Sequence, residues 1–176
     1  LPVVVPHLDG FVPEHSFVVL GLERGSNRSV ITLRFDIPPA GLSDDELVHA
    51  LEVWTYSMEA LRRSGAAAVT VVLYPGGADD RWSDVIVDEL PYRALAELLE
   101  EMLVAAEYEV REVVCVVGER VRSYLCENLG CCPTEGRALD PSEALRIQAS
   151  LVEKGSAPMP SRKAVAEALD AREDGD

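Results

Sequence analysis

The sequence predicts a single α/β domain, with a mixed sheet of about five strands and helices on both faces, in the order β-β-α-β-α-β-β-α-α. Residues 67–74 form a continuous apolar run, which is typical of a strand buried on both faces. Residues 29–37 alternate between polar and apolar side chains, as a half-buried strand does. Helical patterns alternate with these runs, which favours an α/β sheet. A chain of 176 residues fits one domain, which we place at 1–170, followed by an acidic frayed tail at 171–176.

The first half of the chain predicts a hairpin and a helix. Strands at 16–22 and 29–37 flank a stretch rich in turn-forming residues at 23–28. Ser43 and Glu46 then form a capping box, the pattern that begins a helix. The helix should present one apolar stripe to the core, and Gly65 should end it; the stripe contains Leu47, Leu51, Trp54, Met58 and Leu61.

The second half predicts three more helices and two strands. Because proline is tolerated only in a first turn, Pro91 predicts that a helix within 83–108 becomes regular near Asp88. Strand 109–119 should pair with 120–126, and helices should follow at 140–154 and 161–169. The middle helix should turn five side chains inward, namely Tyr92, Leu95, Leu98, Leu99 and Met102.

The charge and the apolar runs exclude several classes of protein. The formal net charge of −15 argues against a nucleic-acid partner, because such a field repels phosphate backbones. No stretch approaches the roughly 20 apolar residues that a membrane helix needs. The first ten residues have no basic region and two prolines, so we expect no signal peptide and a cytoplasmic location.

Three of the four cysteines lie in one short segment, 124–136, at Cys126, Cys131 and Cys132. They fit a zinc site, although a tetrahedral structural site needs a fourth ligand that is missing locally. They also fit a disulfide, a catalytic thiol, or reduced cysteines that pack a turn, and the sequence leaves these alternatives open. Cys115 lies in a run of valines and should face the core.

Two charged residues share a face of the second strand. Arg34 and Asp36 should lie about 7 Å apart by strand geometry. They could orient a ligand, or form an ion pair that protects an edge strand.

Several segments together resemble an uncharacterised actinobacterial family. These are "VPHLDGFVPEHSFVVLGL" at 5–22, "RFDIP" at 34–38, "GERVRSYLCENLGCCPTEGRALD" at 118–140 and "PSRKAVAEAL" at 160–169. The family is a domain of unknown function, so the resemblance implies no activity. It implies an actinobacterial or actinophage cytosol, and recurrent motifs that include Asp36, Cys126, Cys131, Cys132, Pro133, Glu135 and Gly136.

Two functions follow as hypotheses. The first is a binding or regulatory module for a protein partner or a small ligand, with the cysteine segment as a structural turn and a binding surface drawn from Arg34, Asp36, Tyr124, Glu135 and Arg137. The second is a hydrolase-like enzyme that uses the three cysteines, with or without zinc, in one cleft with Asp36 and Glu135. The second requires Asp36 and Cys131 to lie at the same end of the sheet.

Overall fold

The computed structural model describes residues 3–38, 44–76, 81 and 90–173, with no side chain described for residues 44–48, 51 and 171–173. Within these residues it contains six strands and five helices. The strands are β1 (Ser16–Leu22), β2 (Ser29–Asp36), β3 (Ala68–Tyr74), β4 (Glu109–Val117), β5 (Arg120–Ser123) and β6 (Arg137–Ala138). The helices are α1 (Val5–Asp9), α2 (Asp44–Arg63), α3 (Arg93–Ala105), α4 (Pro141–Glu153) and α5 (Arg162–Glu173).

The six strands form one mixed sheet in the order β2-β1-β3-β4-β5-β6. Strands β3 and β4 run parallel, and the other neighbouring pairs run antiparallel. The predicted α/β class is confirmed. Strands β2 and β6 stand at opposite edges, and five strand spacings separate these edges by about 24 Å.

The two faces of the sheet are covered by different helices. On one face, Phe17, Val19 and Val71 pack in a cluster that includes Leu61 of α2 and Leu99 of α3. On the other face, Val18, Leu20, Val72 and Val114 pack with Val5 of α1. Every residue of β1 and β3 is buried, as the apolar composition of these strands requires in the centre of a sheet.

Gly21 allows α2 to approach the sheet closely. A Cβ atom at this position would lie 2.6 Å from Ile31 Cγ2, 2.8 Å from Leu61 Cδ1 and 2.9 Å from Ala66 Cβ. Real Cβ atoms are never this close to other atoms, so the contact between β1, β2 and α2 depends on a residue without a side chain.

The segments near the two ends of the chain are joined. The Val12 amide donates to the Met159 carbonyl at 3.1 Å, and the Met159 amide donates to the Gly10 carbonyl at 2.7 Å. His7 Nδ1 lies 3.0 Å from Ser156 Oγ. These bonds hold the linker between α4 and α5 against the end of α1.

Several predicted boundaries need correction. Tyr92 has a left-handed backbone, with φ of 56°, and α3 begins after it at Arg93; the expected start near Asp88 lies outside the described residues. Tyr92 and Leu98 are exposed rather than inward. The sequence missed α1 and β6, and α5 extends to Glu173 beyond the expected end at Leu169. The predicted capping box at Ser43 and Glu46 lies outside the described side chains. The predicted helix at 140–154 is present as α4, and the Asp140 side chain caps it by accepting from the amides of Ser142 and Glu143.

None of the helices in the described ranges is long and apolar enough to span a membrane.

Candidate functional site

The five residues expected to bind a ligand lie in separate places. Arg34 and Asp36 lie on the edge strand β2, whereas Arg137 lies on β6 at the opposite edge and Glu135 lies two residues before Arg137. The cysteine segment follows β5, so Asp36 and Cys131 also lie at opposite ends of the sheet. The strand order therefore does not form the single cleft that the enzyme hypothesis requires.

Tyr124 belongs to the core. Its side chain is buried in the cluster beneath α2 and α3, and its hydroxyl donates to the Pro91 carbonyl at 2.6 Å. Cys115 is fully buried in the same cluster, as expected, and burial raises the pKa of its thiol to about 12. Tyr124 therefore anchors the start of the cysteine segment and does not present a hydroxyl to solvent.

Glu135 and Arg137 are exposed, and the segment that contains them is fixed through its backbone. The Arg120 guanidinium donates to the carbonyls of Glu135 and Gly136 at 2.8 and 2.9 Å. Gly136 takes a φ of 69°, which favours glycine at this turn. These contacts define the shape of the turn.

Arg34 and Asp36 form the ion pair that the edge-strand interpretation expects. Arg34 Nη2 lies 2.9 Å from Asp36 Oδ1, and the Arg34 guanidinium carbon lies 5.3 Å from the centre of the Phe11 ring. On α5, Arg162 Nη1 lies 3.5 Å from Asp36 Oδ2. Two guanidinium groups thus face the Asp36 carboxylate, and the Arg34 charge also acts on the Asp9 carboxylate.

A groove of about 510 Å³ lies between α2, α3 and the β2 edge of the sheet. Its lining is mainly apolar, and it also includes Arg34, Asp36 and His49. Phe17 and Phe35 stack in its wall with ring centres 4.8 Å apart, and Trp54 lies 5.7 Å from Phe35. We call this cavity the α2–α3 groove; its apolar lining includes Phe17, Phe35, Val53, Trp54, Leu98 and Met102.

A group of buried polar atoms lies on the α1 face of the same end of the sheet. The strand register places Ser16 beside both Asp36 and Tyr74. Within the described part of the chain, Ser16 Oγ, Tyr74 OH, Arg34 Nε and Asp9 Oδ2 are buried without a hydrogen-bond partner. Burial raises the pKa of Asp9 to about 6, although the nearby Arg34 charge opposes the shift. Burial and the Asp9 charge both raise the pKa of Tyr74.

The three clustered cysteines meet in a compact group that we call the thiol corner. Cys126 Sγ lies 3.1 Å from Cys131 Sγ, and Cys131 Sγ lies 3.8 Å from Cys132 Sγ. All three sulfur atoms lie within 4.8 Å of one another, so together they could hold a metal ion. All four cysteines of the chain are free thiols.

The thiols of the corner affect one another. Hydrogen bonds from Cys131 and Cys132, and a backbone hydrogen bond at Asn128, lower the pKa of Cys126. The same bond to Cys126 raises the pKa of Cys131 to about 11. These two shifts favour a thiolate at Cys126 with the shared proton held by Cys131.

Sequence reasoning found the thiol corner and the Arg34–Asp36 pair but missed the groove and the buried polar atoms. The predicted apolar stripes do contain lining residues of the groove, but these patterns do not indicate an open cavity between two helices; the residues are Trp54 of α2 and Leu95, Leu98, Leu99 and Met102 of α3. Asp9 and Tyr74 gave no signal, because their proximity depends on α1, a helix of only five residues.

Comparison with known proteins identifies the chain only at the level of a family. The family model described as a domain of unknown function (DUF4192) matches residues 3–176. No curated protein matches the sequence at a significant level. The chain therefore belongs to this family of unknown function.

Proposed function

We propose that the chain is a binding module that takes a small ligand with an apolar body and an anionic end in the α2–α3 groove. The main observation in support of this proposal is the size and lining of the groove. Its volume of about 510 Å³ and its mainly apolar lining, with a few polar groups, are the usual properties of a small-molecule site.

The walls of the groove are suited to a flat or flexible apolar group. Phe17 and Phe35 are fixed by stacking, and Trp54 is tilted against both rings. Val53 and Leu98 remain 41% and 51% exposed, so the two helices leave apolar surface uncovered along the groove. Covering this surface with a ligand would be favourable at about 25 cal/mol for each Å² removed from water.

The charges at the β2 edge indicate the polar end of the ligand. Arg34 and Asp36 belong to the lining, and Arg162 approaches Asp36 from α5. The Arg162 guanidinium can donate charge-assisted hydrogen bonds to a ligand carboxylate at this edge, whereas a ligand ammonium group cannot accept them. The Arg162 side chain is 69% exposed, so it can approach a ligand without leaving a packed position.

The proposal retains Arg34 and Asp36 from the expected binding surface, and it places the module in the cytoplasm of an actinobacterial cell.

The test uses Trp54 as a reporter. The chain has two tryptophans, so the Trp82→Phe background leaves Trp54 as the only one. We expect octanoate to change the fluorescence of Trp54 in a saturable manner, with octanol and octylammonium binding more weakly. No change with any of the three compounds would contradict the proposal.

A matched pair of variants separates the groove from general surface binding. Leu98→Glu should weaken octanoate binding about tenfold, because it places a charge among apolar groups. Leu145→Glu on α4 introduces the same charge at a position that is 66% exposed, and it should leave binding unchanged. Equal effects of Leu98→Glu and Leu145→Glu would show that octanoate does not occupy the groove.

A third variant tests the polar end of the ligand. Arg162→Gln should reduce the preference for octanoate over octanol.

A further inference from the structure

The thiol corner lies at the other edge of the sheet from the α2–α3 groove and is independent of it. We infer that Cys126, Cys131 and Cys132 bind one Zn²⁺ ion as thiolates, and that the fourth coordination position is open to water or another external ligand.

The sulfur spacing is close to that of a zinc site. With Zn–S bonds of about 2.3 Å at tetrahedral angles, two ligand sulfurs lie about 3.8 Å apart. The Cys131–Cys132 sulfur distance is 3.8 Å. The Cys126–Cys131 distance of 3.1 Å would have to increase by about 0.7 Å, whereas a disulfide of about 2.0 Å would require these atoms to approach by about 1.1 Å.

The third sulfur favours the metal over the disulfide. A disulfide joins two cysteines and leaves the third without a role, although all three sulfurs lie within 4.8 Å of one another. A metal ion uses all three. Thiolates are also soft ligands that select zinc over harder cations such as magnesium and calcium.

Backbone hydrogen bonds fix the turn before any metal binds. The Asn128 carbonyl accepts from the amides of Cys131 and Cys132 at 3.1 and 2.8 Å. The Asn128 side-chain oxygen accepts from the Gly130 amide at 2.8 Å. At the start of the turn, the Tyr124 amide donates to the Val113 carbonyl at 2.8 Å, so the turn begins on the sheet. A preformed turn of this kind reduces the entropy that is lost when the ligands are ordered around an ion.

The open position follows from the ligand set. Among the residues that the structure describes, the group of potential ligands at this point contains only the three cysteines. Cys131 is exposed, and the other two are partly exposed, so water can reach the ion. Binding releases three thiol protons and forms three Zn–S bonds without any change of oxidation state, which leaves one negative charge on the complex.

Metal analysis tests the site directly. We expect the chain purified without chelator to contain about one zinc ion, because several thiolates hold zinc tightly. Most of the zinc should be lost in each of three variants, Cys126→Ser, Cys131→Ser and Cys132→Ser. Circular dichroism checks that each variant is folded. Cys115→Ala removes the buried thiol outside the corner and should retain the metal. Equal zinc in Cys131→Ser and the unmodified chain would overturn the inference.

A second measurement does not depend on any variant. Replacing zinc with Co²⁺ should give the intense ultraviolet absorption of cobalt–thiolate bonds, and adding imidazole should change the visible bands if the fourth position is open. Visible bands that imidazole leaves unchanged would overturn the open position. An intact mass lower by two hydrogen atoms in freshly purified, thiol-blocked protein would instead show a disulfide and overturn the metal site.

Discussion

The two edges of the sheet are built in different ways. The β2 edge is assembled from distant parts of the chain, since Asp9, Arg34, Trp54, Leu98 and Arg162 all contribute to it. The edge at β5 and β6 carries the thiol corner, which is formed by one continuous stretch, 124–136. The β2 edge therefore depends on tertiary packing, whereas the thiol corner depends mainly on its own turn and on the Tyr124 anchor.

The largest effect should follow from Gly21→Ala. The added methyl group would overlap with Ile31, Leu61 and Ala66, and overpacking of this kind costs about 1–3 kcal/mol. Urea unfolding measures the loss. Because the β2 edge depends on packing, the variant should also accelerate the hydrogen exchange of backbone amides in β2 more than that of amides in the turn at 128–132. A loss below about 0.5 kcal/mol, which is typical of neutral surface changes, would contradict this account.

Tyr124→Phe should have the next largest effect, and it tests the anchor of the thiol corner. The change removes the hydrogen bond to Pro91 and leaves a carbonyl without its partner, at a cost of about 1–2 kcal/mol. We also expect the corner thiols to react faster with an alkylating reagent. Tyr56→Phe, at a position that is 79% exposed, is the matched control and should change neither stability nor thiol reactivity. Unchanged thiol reactivity in Tyr124→Phe would mean that the turn keeps its structure without the Tyr124 hydrogen bond.

The smallest effect should be a pH-dependent increase in stability on changing Asp9→Asn. The folded state raises the pKa of Asp9 from 3.8 to about 6, so the folded chain binds the proton more tightly than the unfolded chain. The stability of the unmodified chain should therefore fall as the pH rises from about 4 to about 6, and the variant should lack this fall. The full pKa shift corresponds to about 3 kcal/mol of unfolding free energy. Because Asp9 is only half-buried, we expect Asp9→Asn to be more stable than the unmodified chain by about 1 kcal/mol above pH 6.

Urea unfolding at pH 4 and pH 7 measures this difference. Asp170→Asn, at an exposed position of α5, controls for the loss of one negative charge. A variant that is less stable than the unmodified chain at pH 7 would show that the charged Asp9–Arg34 interaction outweighs the cost of burial.

The same contrast explains what could be predicted from the sequence. The alternation at 29–37 and the apolar run at 67–74 depend on local patterns, and they correctly gave β2 and β3. The thiol corner could be found because its three cysteines are neighbours in the chain. The proximity of Asp9 to Tyr74 could not be found, since it depends on α1 and on the position of β3 beside β1. Strand β6 has only two residues, which is too short for any alternation to show.

The parallel contact between β3 and β4 divides the sheet into two antiparallel units, residues 16–74 and 109–138. Each unit contains a hairpin with a short turn, and such local pairs close quickly. The pairings of β3 with β1 and with β4 both join segments that are far apart in the chain, so both close slowly. Folding should therefore proceed from two early hairpins, β1–β2 and β4–β5, to their later union on the two sides of β3, and the amides of β3 should report when the complete domain has formed.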